Sequence, residues 1–147
     1  MAPIQRRAEA VWEGSLTDGR GTASGTMGAF EAVPVTWASR VEDADGRTSP
    51  EELLATAHAA CYAMALSNVL AGRGTPPGRL RVTAVVSAEL GEGGLRVTSS
   101  DLTVDGSVPG IDEDAFVEAA EEGNRSCPIS NALRGNLEIR VQASLDS

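Results

Sequence analysis

Two thiols, one imidazole and a small set of arginines and carboxylates are the groups in this chain that could do chemistry. Cys61 and Cys127 are the only cysteines, and His58 is the only histidine. The cysteines are far apart in sequence and match no zinc pattern, which would need two more ligands. His58 precedes Cys61 by three residues, so on a helix the two could share a face. Such a lone histidine reads more readily as a satisfied core residue than as a metal ligand. The thiols could equally be small core residues or redox groups. Cys127 precedes Pro128 and follows Arg125. It can therefore cap a short helix, where backbone N–H groups favour a thiolate. A thiol of pKa about 8.5 is only about 3% ionised at pH 7. Attack on a peroxide calls for a pKa lowered by about two to three units, or about 3–4 kcal/mol of preference for the anion. A guanidinium held nearby, itself fixed by a carboxylate, could supply that.

The element that must carry Cys61 is the stretch PEELLATAHAACYAMALSNVLAG, Pro50 to Gly72. Pro50 suits the first turn of a helix and Ser49 its N-cap. Glu51 and Glu52 meet the positive end of the dipole. No charged residue follows until Arg73, so the helix is expected to be buried nearly all round. Gly72, Gly74, Pro76 and Pro77 end it. Its length approaches that of a membrane span. Thr56, His58, Ser67 and Asn68 interrupt it, and Ala dominates it, which argues for a core helix instead.

Around it the chain reads as strands at Ala8–Leu16, Gly21–Phe30 and Val33–Val41. Pro34 pushes the third towards an edge. Strands at Leu80–Leu90 and Leu95–Val108 form a hairpin about Glu92-Gly93-Gly94. A helix is expected over Asp112–Glu122, with Phe116, Val117 and Ala120 inward, then a short segment from Cys127 to Arg134. Leu137–Leu145 is the last strand. This order predicts one α+β domain over residues 1–147.

Composition narrows the function. The net charge is −9 and hydrophobic residues make up 41%. All 12 cations are arginine. An acidic chain disfavours nucleic acid and anionic membrane surfaces. The N-terminal residues lack the apolar run of a signal peptide. A cytoplasmic location is expected, with both thiols reduced unless redox chemistry is their role.

Four stretches resemble the OsmC/Ohr family of hydroperoxide reductases, the OsmC branch in particular. They are AVWEG at Ala10–Gly14, SPEELLATAHAACYAMALS at Ser49–Ser67, VPGID at Val108–Asp112 and SCPISNAL at Ser126–Leu133. The resemblance implies an OsmC-like fold: antiparallel sheets wrapped around a long buried central helix. It implies a cysteine peroxidase of oxidative and osmotic stress with no metal, haem or other cofactor. Cys61 would be the reactive cysteine and Cys127 the resolving one. Arg40 would be the catalytic arginine, at the end of the strand before the helix, and Glu51 the catalytic glutamate. The substrates implied are organic hydroperoxides, and the reductant a dithiol of lipoyl type. The pocket wall is expected from the central helix, with Tyr62 and Met64. The resemblance and the capping reading differ over which thiol is the more reactive. A close ion pair in a dry pocket outweighs helix capping, which favours Cys61.

Two other readings compete. One is a non-catalytic stress or small-ligand-binding protein with structural cysteines. The other, a general disulfide oxidoreductase, lacks its Cys-x-x-Cys motif. Assembly follows from helix geometry. Glu51 and Cys61 are ten residues apart, about 15 Å along one helix, whereas an arginine bridging carboxylate and sulfur needs contacts of about 3–4 Å. An intertwined homodimer with antiparallel central helices would bring Glu51 of one chain to Cys61 of the other. A helix broken between the two residues is the alternative.

Overall fold

A turn at Asp18-Gly19 folds Ala8–Glu13 (β1) back on Arg20–Gly25 (β2), antiparallel, with Val11 opposite Thr22. Val33–Val35 (β3) adds to the other side of β2 and forms an edge, as Pro34 requires. The structure is a computed structural model that describes residues 2–146. The chain divides after Leu53 into two compact units.

In the first unit the second strand stops at Gly25 instead of reaching Phe30. The Gly25 amide turns back to the Phe30 carbonyl, 3.0 Å away. The third strand is also shorter than its β-rich sequence suggests. Trp37–Val41 is instead a five-residue helix, α1. Thr36 caps it through a reciprocal pair: the Ser39 amide donates to Thr36 Oγ1 and the Thr36 amide donates to Ser39 Oγ. Ser39 Oγ also donates to the Thr48 carbonyl at 2.8 Å, pinning α1 to the loop that follows.

Helix α2 runs unbroken from Pro50 to Gly72, beginning in the first unit and continuing through the second. Ser49 caps it: its hydroxyl accepts from the Glu52 amide at 3.1 Å. The helix is not buried all round within this chain. It buries one stripe, His58, Tyr62, Leu66 and Leu70, spaced one turn apart. Met64, on another face, is 74% exposed. The buried stripe makes α2 a core helix, although its length and composition alone would also suit a membrane span.

In the second unit Arg79–Gly91 (β4) and Gly94–Ser107 (β5) form a long hairpin. Glu113–Ser126 (α3) and Pro128–Leu133 (α4) follow. The chain then returns as Glu138–Leu145 (β6), which pairs with β5 in parallel. This sheet is therefore mixed, not antiparallel throughout. The reason is the connection: two helices between consecutive strands form a crossover, and a crossover delivers a parallel partner.

The core of this unit is Tyr62, Leu66 and Leu70 of α2, Leu102 and Val104 of β5, and Phe116, Ala119 and Ala120 of α3, together with Cys127. Two glycines set the close approaches. A Cβ on Gly106 would lie 2.5 Å from the Phe116 ring, so α3 seats its phenyl directly on β5. A Cβ on Gly123 would lie 3.3 Å from the Leu66 backbone, so α3 meets α2 there almost chain to chain. Asp112 caps α3, accepting from the Ala115 amide at 2.8 Å. Val117, expected to face inward, is 37% exposed; Ala119 and Gly123 take that side instead.

Candidate functional site

Cys61 sits at mid-length on α2, half-buried, and Cys127 lies in the joint between α3 and α4, fully buried. Both are free thiols, and Cys127 lies near enough to Cys61 to act on its ionisation. The joint is built as the Cys-Pro sequence demands. Cys127 is extended, Pro128 begins α4, and the Cys127 sulfur accepts from the Ser130 amide at 3.5 Å. The preceding amide, that of Ile129, donates to Cys61. Consecutive N–H groups of one short helix thus face the two sulfurs.

The electrostatics of Cys61 run against the expectation of an acidified thiol. Burial pushes its pKa up, and Cys127 pushes the same way. The Ile129 amide opposes them, but no cation is among the groups acting on it. Arg125, the nearest cation in sequence to Cys127, is exposed. The second unit alone therefore keeps Cys61 as a thiol.

The residues behind the thiols form a polar network that sequence reading did not assemble. His58 is fully buried. Its Nδ1 lies 2.7 Å from Ser100 Oγ on β5, and its Nε2 lies 2.8 Å from Ser130 Oγ on α4. Burial lowers its pKa, so the ring is neutral. His58 is thus a satisfied core residue, as expected, and no group of metal-ligating side chains occurs among the described residues. Tyr62 is not a pocket wall. It is fully buried, and its hydroxyl donates to the Ala120 carbonyl at 2.8 Å.

In the first unit Arg40 and Glu51 form a two-pronged ion pair. Arg40 Nε donates to Glu51 Oε1 at 2.9 Å and Nη2 donates to Oε2 at 3.0 Å. Arg40 comes from α1, not from a strand end, and Glu51 from the first turn of α2. Their side chains keep 31% and 13% exposure. Beside the arginine is a cleft of about 270 Å³ walled by Trp12, Leu16, Val35 and Trp37. An apolar cleft with a guanidinium on its wall suits a molecule with an apolar body and a polar, oxygen-rich end. Trp12 and Trp37 were the available signal in the sequence, since aromatics are only 3% of it.

Comparison with known proteins agrees with this architecture. Residues 43–142 match the OsmC-like protein family. The chain is 35% identical over 139 residues to peroxiredoxin OsmC of Escherichia coli, covering 95% of this chain and 96% of that one. It is 31% identical over 95 residues to the organic hydroperoxide resistance protein of Xanthomonas axonopodis pv. citri, covering 64% and 65% of the two chains. Among solved structures, an organic hydroperoxide resistance protein from Elizabethkingia anophelis is similar with a TM-score of 0.78 and 27% identity, over 99% of this chain and 100% of that one. An OsmC protein from Legionella pneumophila shares the fold with a TM-score of 0.77 at 23% identity, over 98% and 99% of the two chains. The chain belongs to the OsmC-like family.

Proposed function

We propose that this protein is a cysteine-dependent peroxidase that reduces organic hydroperoxides to alcohols. The observation that carries the reading is that two free thiols, Cys61 and Cys127, lie near enough for one to act on the other's ionisation. In the first step the Cys61 thiolate attacks the outer peroxide oxygen. The O–O bond breaks, the alkoxide leaves and takes up the proton that the Cys61 thiol released, and Cys61 becomes a sulfenic acid. In the second step Cys127 displaces hydroxide from that sulfur. The S–S bond forms, and the proton of Cys127 leaves with hydroxide as water. A dithiol, of lipoyl type on the family's pattern, restores both thiols by exchange.

Arg40 is assigned to stabilise the Cys61 thiolate and the departing alkoxide, and Glu51 to aim Arg40. Cys61 needs such a cation, because burial raises its pKa and no cation is among the groups acting on it. The continuous α2 supports supply of that cation from a second copy. Glu51 and Cys61 stand about 15 Å apart along one helix. A homodimer with antiparallel α2 helices brings the Arg40–Glu51 pair of one chain to the thiols of the other. The surfaces of this chain agree: β1 is exposed along its whole length, and α2 carries an open apolar face at Met64. We assign one family domain to residues 1–147, a cytoplasmic location, a role in oxidative and osmotic stress, and no cofactor.

The relatives named for organic hydroperoxide resistance and the cleft beside Arg40 favour organic peroxides over hydrogen peroxide. Cys61→Ser tests the reading directly. Turnover of cumene hydroperoxide with a dithiol is expected to vanish. Retained turnover would favour the alternative, a non-catalytic stress or ligand-binding protein with structural cysteines.

A further inference from the structure

His58 takes no part in the two steps above, yet both of its ring nitrogens are held. An imidazole enclosed in a core costs free energy unless both nitrogens are paired. Here each nitrogen meets a serine hydroxyl, at 2.7 and 2.8 Å, and all three residues are buried. The neutral ring has one N–H, so one hydroxyl accepts from it and the other donates to it. The chain Ser100–His58–Ser130 ties β5, α2 and α4 together. An aliphatic side chain could fill the same space but would leave two buried hydroxyls unpaired.

What distinguishes this tie is where it ends. Ser130 is the residue whose amide meets the Cys127 sulfur. Its neighbour Ile129 supplies the amide that meets Cys61. Cys61 itself lies one turn beyond His58 on α2. The separation of the two sulfurs is thus set by how the first turn of α4 lies against α2, and the His58–Ser130 hydrogen bond fixes that relation.

We propose that His58 is a positioning residue for disulfide formation: through Ser130 it holds the first turn of α4 so that the Cys127 sulfur meets the oxidised Cys61 sulfur. This rests on the two-cysteine reading above. Its consequence is selective, because attack on the peroxide engages one sulfur of the pair, whereas the second step needs both sulfurs within bonding reach. A misplacement of about 1 Å can slow such a step by about 10²-fold.

The experiment follows both steps after one equivalent of t-butyl hydroperoxide is added to the reduced protein. Cys61 sulfenic acid is counted as its dimedone adduct, and the Cys61–Cys127 disulfide by peptide mass in quenched samples. In His58→Leu and in Ser130→Ala, sulfenic acid is expected to form within about threefold of the wild-type rate, while disulfide formation slows by about tenfold or more. Sulfenic acid then accumulates and proceeds to sulfinic acid on further peroxide. The amide nitrogen of glutamine falls near Nε2 of the replaced ring and that of asparagine near Nδ1. His58→Gln should therefore recover the disulfide rate, and His58→Asn should not. Ser130→Ala keeps the imidazole in place and carries the test if His58→Leu does not fold. Equal slowing of both steps, an unchanged disulfide rate in His58→Leu or Ser130→Ala, or equal recovery by Asn and Gln would overturn the proposal. Wild-type protein that forms no disulfide would instead overturn the two-cysteine reading beneath it.

Discussion

Glu51 holds Arg40 by both carboxylate oxygens, at 2.9 and 3.0 Å from Nε and Nη2. Geometry of this kind belongs to arginine alone: a lysine ammonium cannot occupy both oxygens and still present a planar face to a substrate. Arg40→Lys is therefore expected to lower kcat/KM for an organic hydroperoxide by about 10²-fold, the scale for losing a donor to developing negative charge. Wild-type rates in Arg40→Lys, measured by steady-state kinetics, would remove Arg40 from the mechanism.

Sharing of sites between two copies makes a sharper prediction. Cys61→Ser and Glu51→Ala chains are each inactive, but a mixed dimer holds one intact site of two. With equal amounts and complete exchange, about a quarter of wild-type activity returns, since half the dimers are mixed. No recovery after exchange has been verified by mass would mean that each chain builds its own site.

Much of the frame that holds these residues was legible in the sequence, because it rests on local signals. The run from Pro50 to Gly72 gave α2 its residue bounds, through proline at the start, glycine at the end and no charge from Leu53 onward. Cys127 caps α4 as the Cys-Pro pair implied. The sequence is silent where the deciding contact is not local. Val33–Val41 is rich in β-branched and aromatic residues, and only the Thr36–Ser39 cap, locked to the Thr48 carbonyl, turns its second half into α1. The alternation of β6 is the same for a parallel or an antiparallel strand; its direction comes from the crossover through α3 and α4. Ser100 and Ser130 are far from His58 in sequence, and nothing near them marks either as its partner.

Burial of His58 has a pH signature. Its folded pKa is lowered, so the unfolded chain binds a proton that the folded chain refuses. Stability is complete above the unfolded pKa of about 6.5 and falls as pH drops below it, by at most about 1.4 kcal/mol per pH unit, until the folded ring also titrates. Urea unfolding at about pH 7.5 and about pH 5.5 should show a larger loss for wild type than for His58→Gln, which has no proton to take up. Equal losses in the two proteins would contradict a neutral buried ring.

Packing of α3 on the sheet predicts a stability effect away from the thiols. A methyl at Gly106 meets the Phe116 ring at 2.5 Å, and the ring is fully buried. Gly106→Ala is expected to cost about 1–3 kcal/mol, read as a lower Tm. An unchanged Tm would show that α3 can shift off β5 freely.

The most direct measurement is a thiol count on the reduced protein before and after one equivalent of cumene hydroperoxide, with the products mapped by peptide mass. Both free thiols should be lost together, and one disulfide should join Cys61 to Cys127, with an equivalent of alcohol released. Two thiols remaining, with the peroxide unconsumed, would contradict a peroxidase built on this pair.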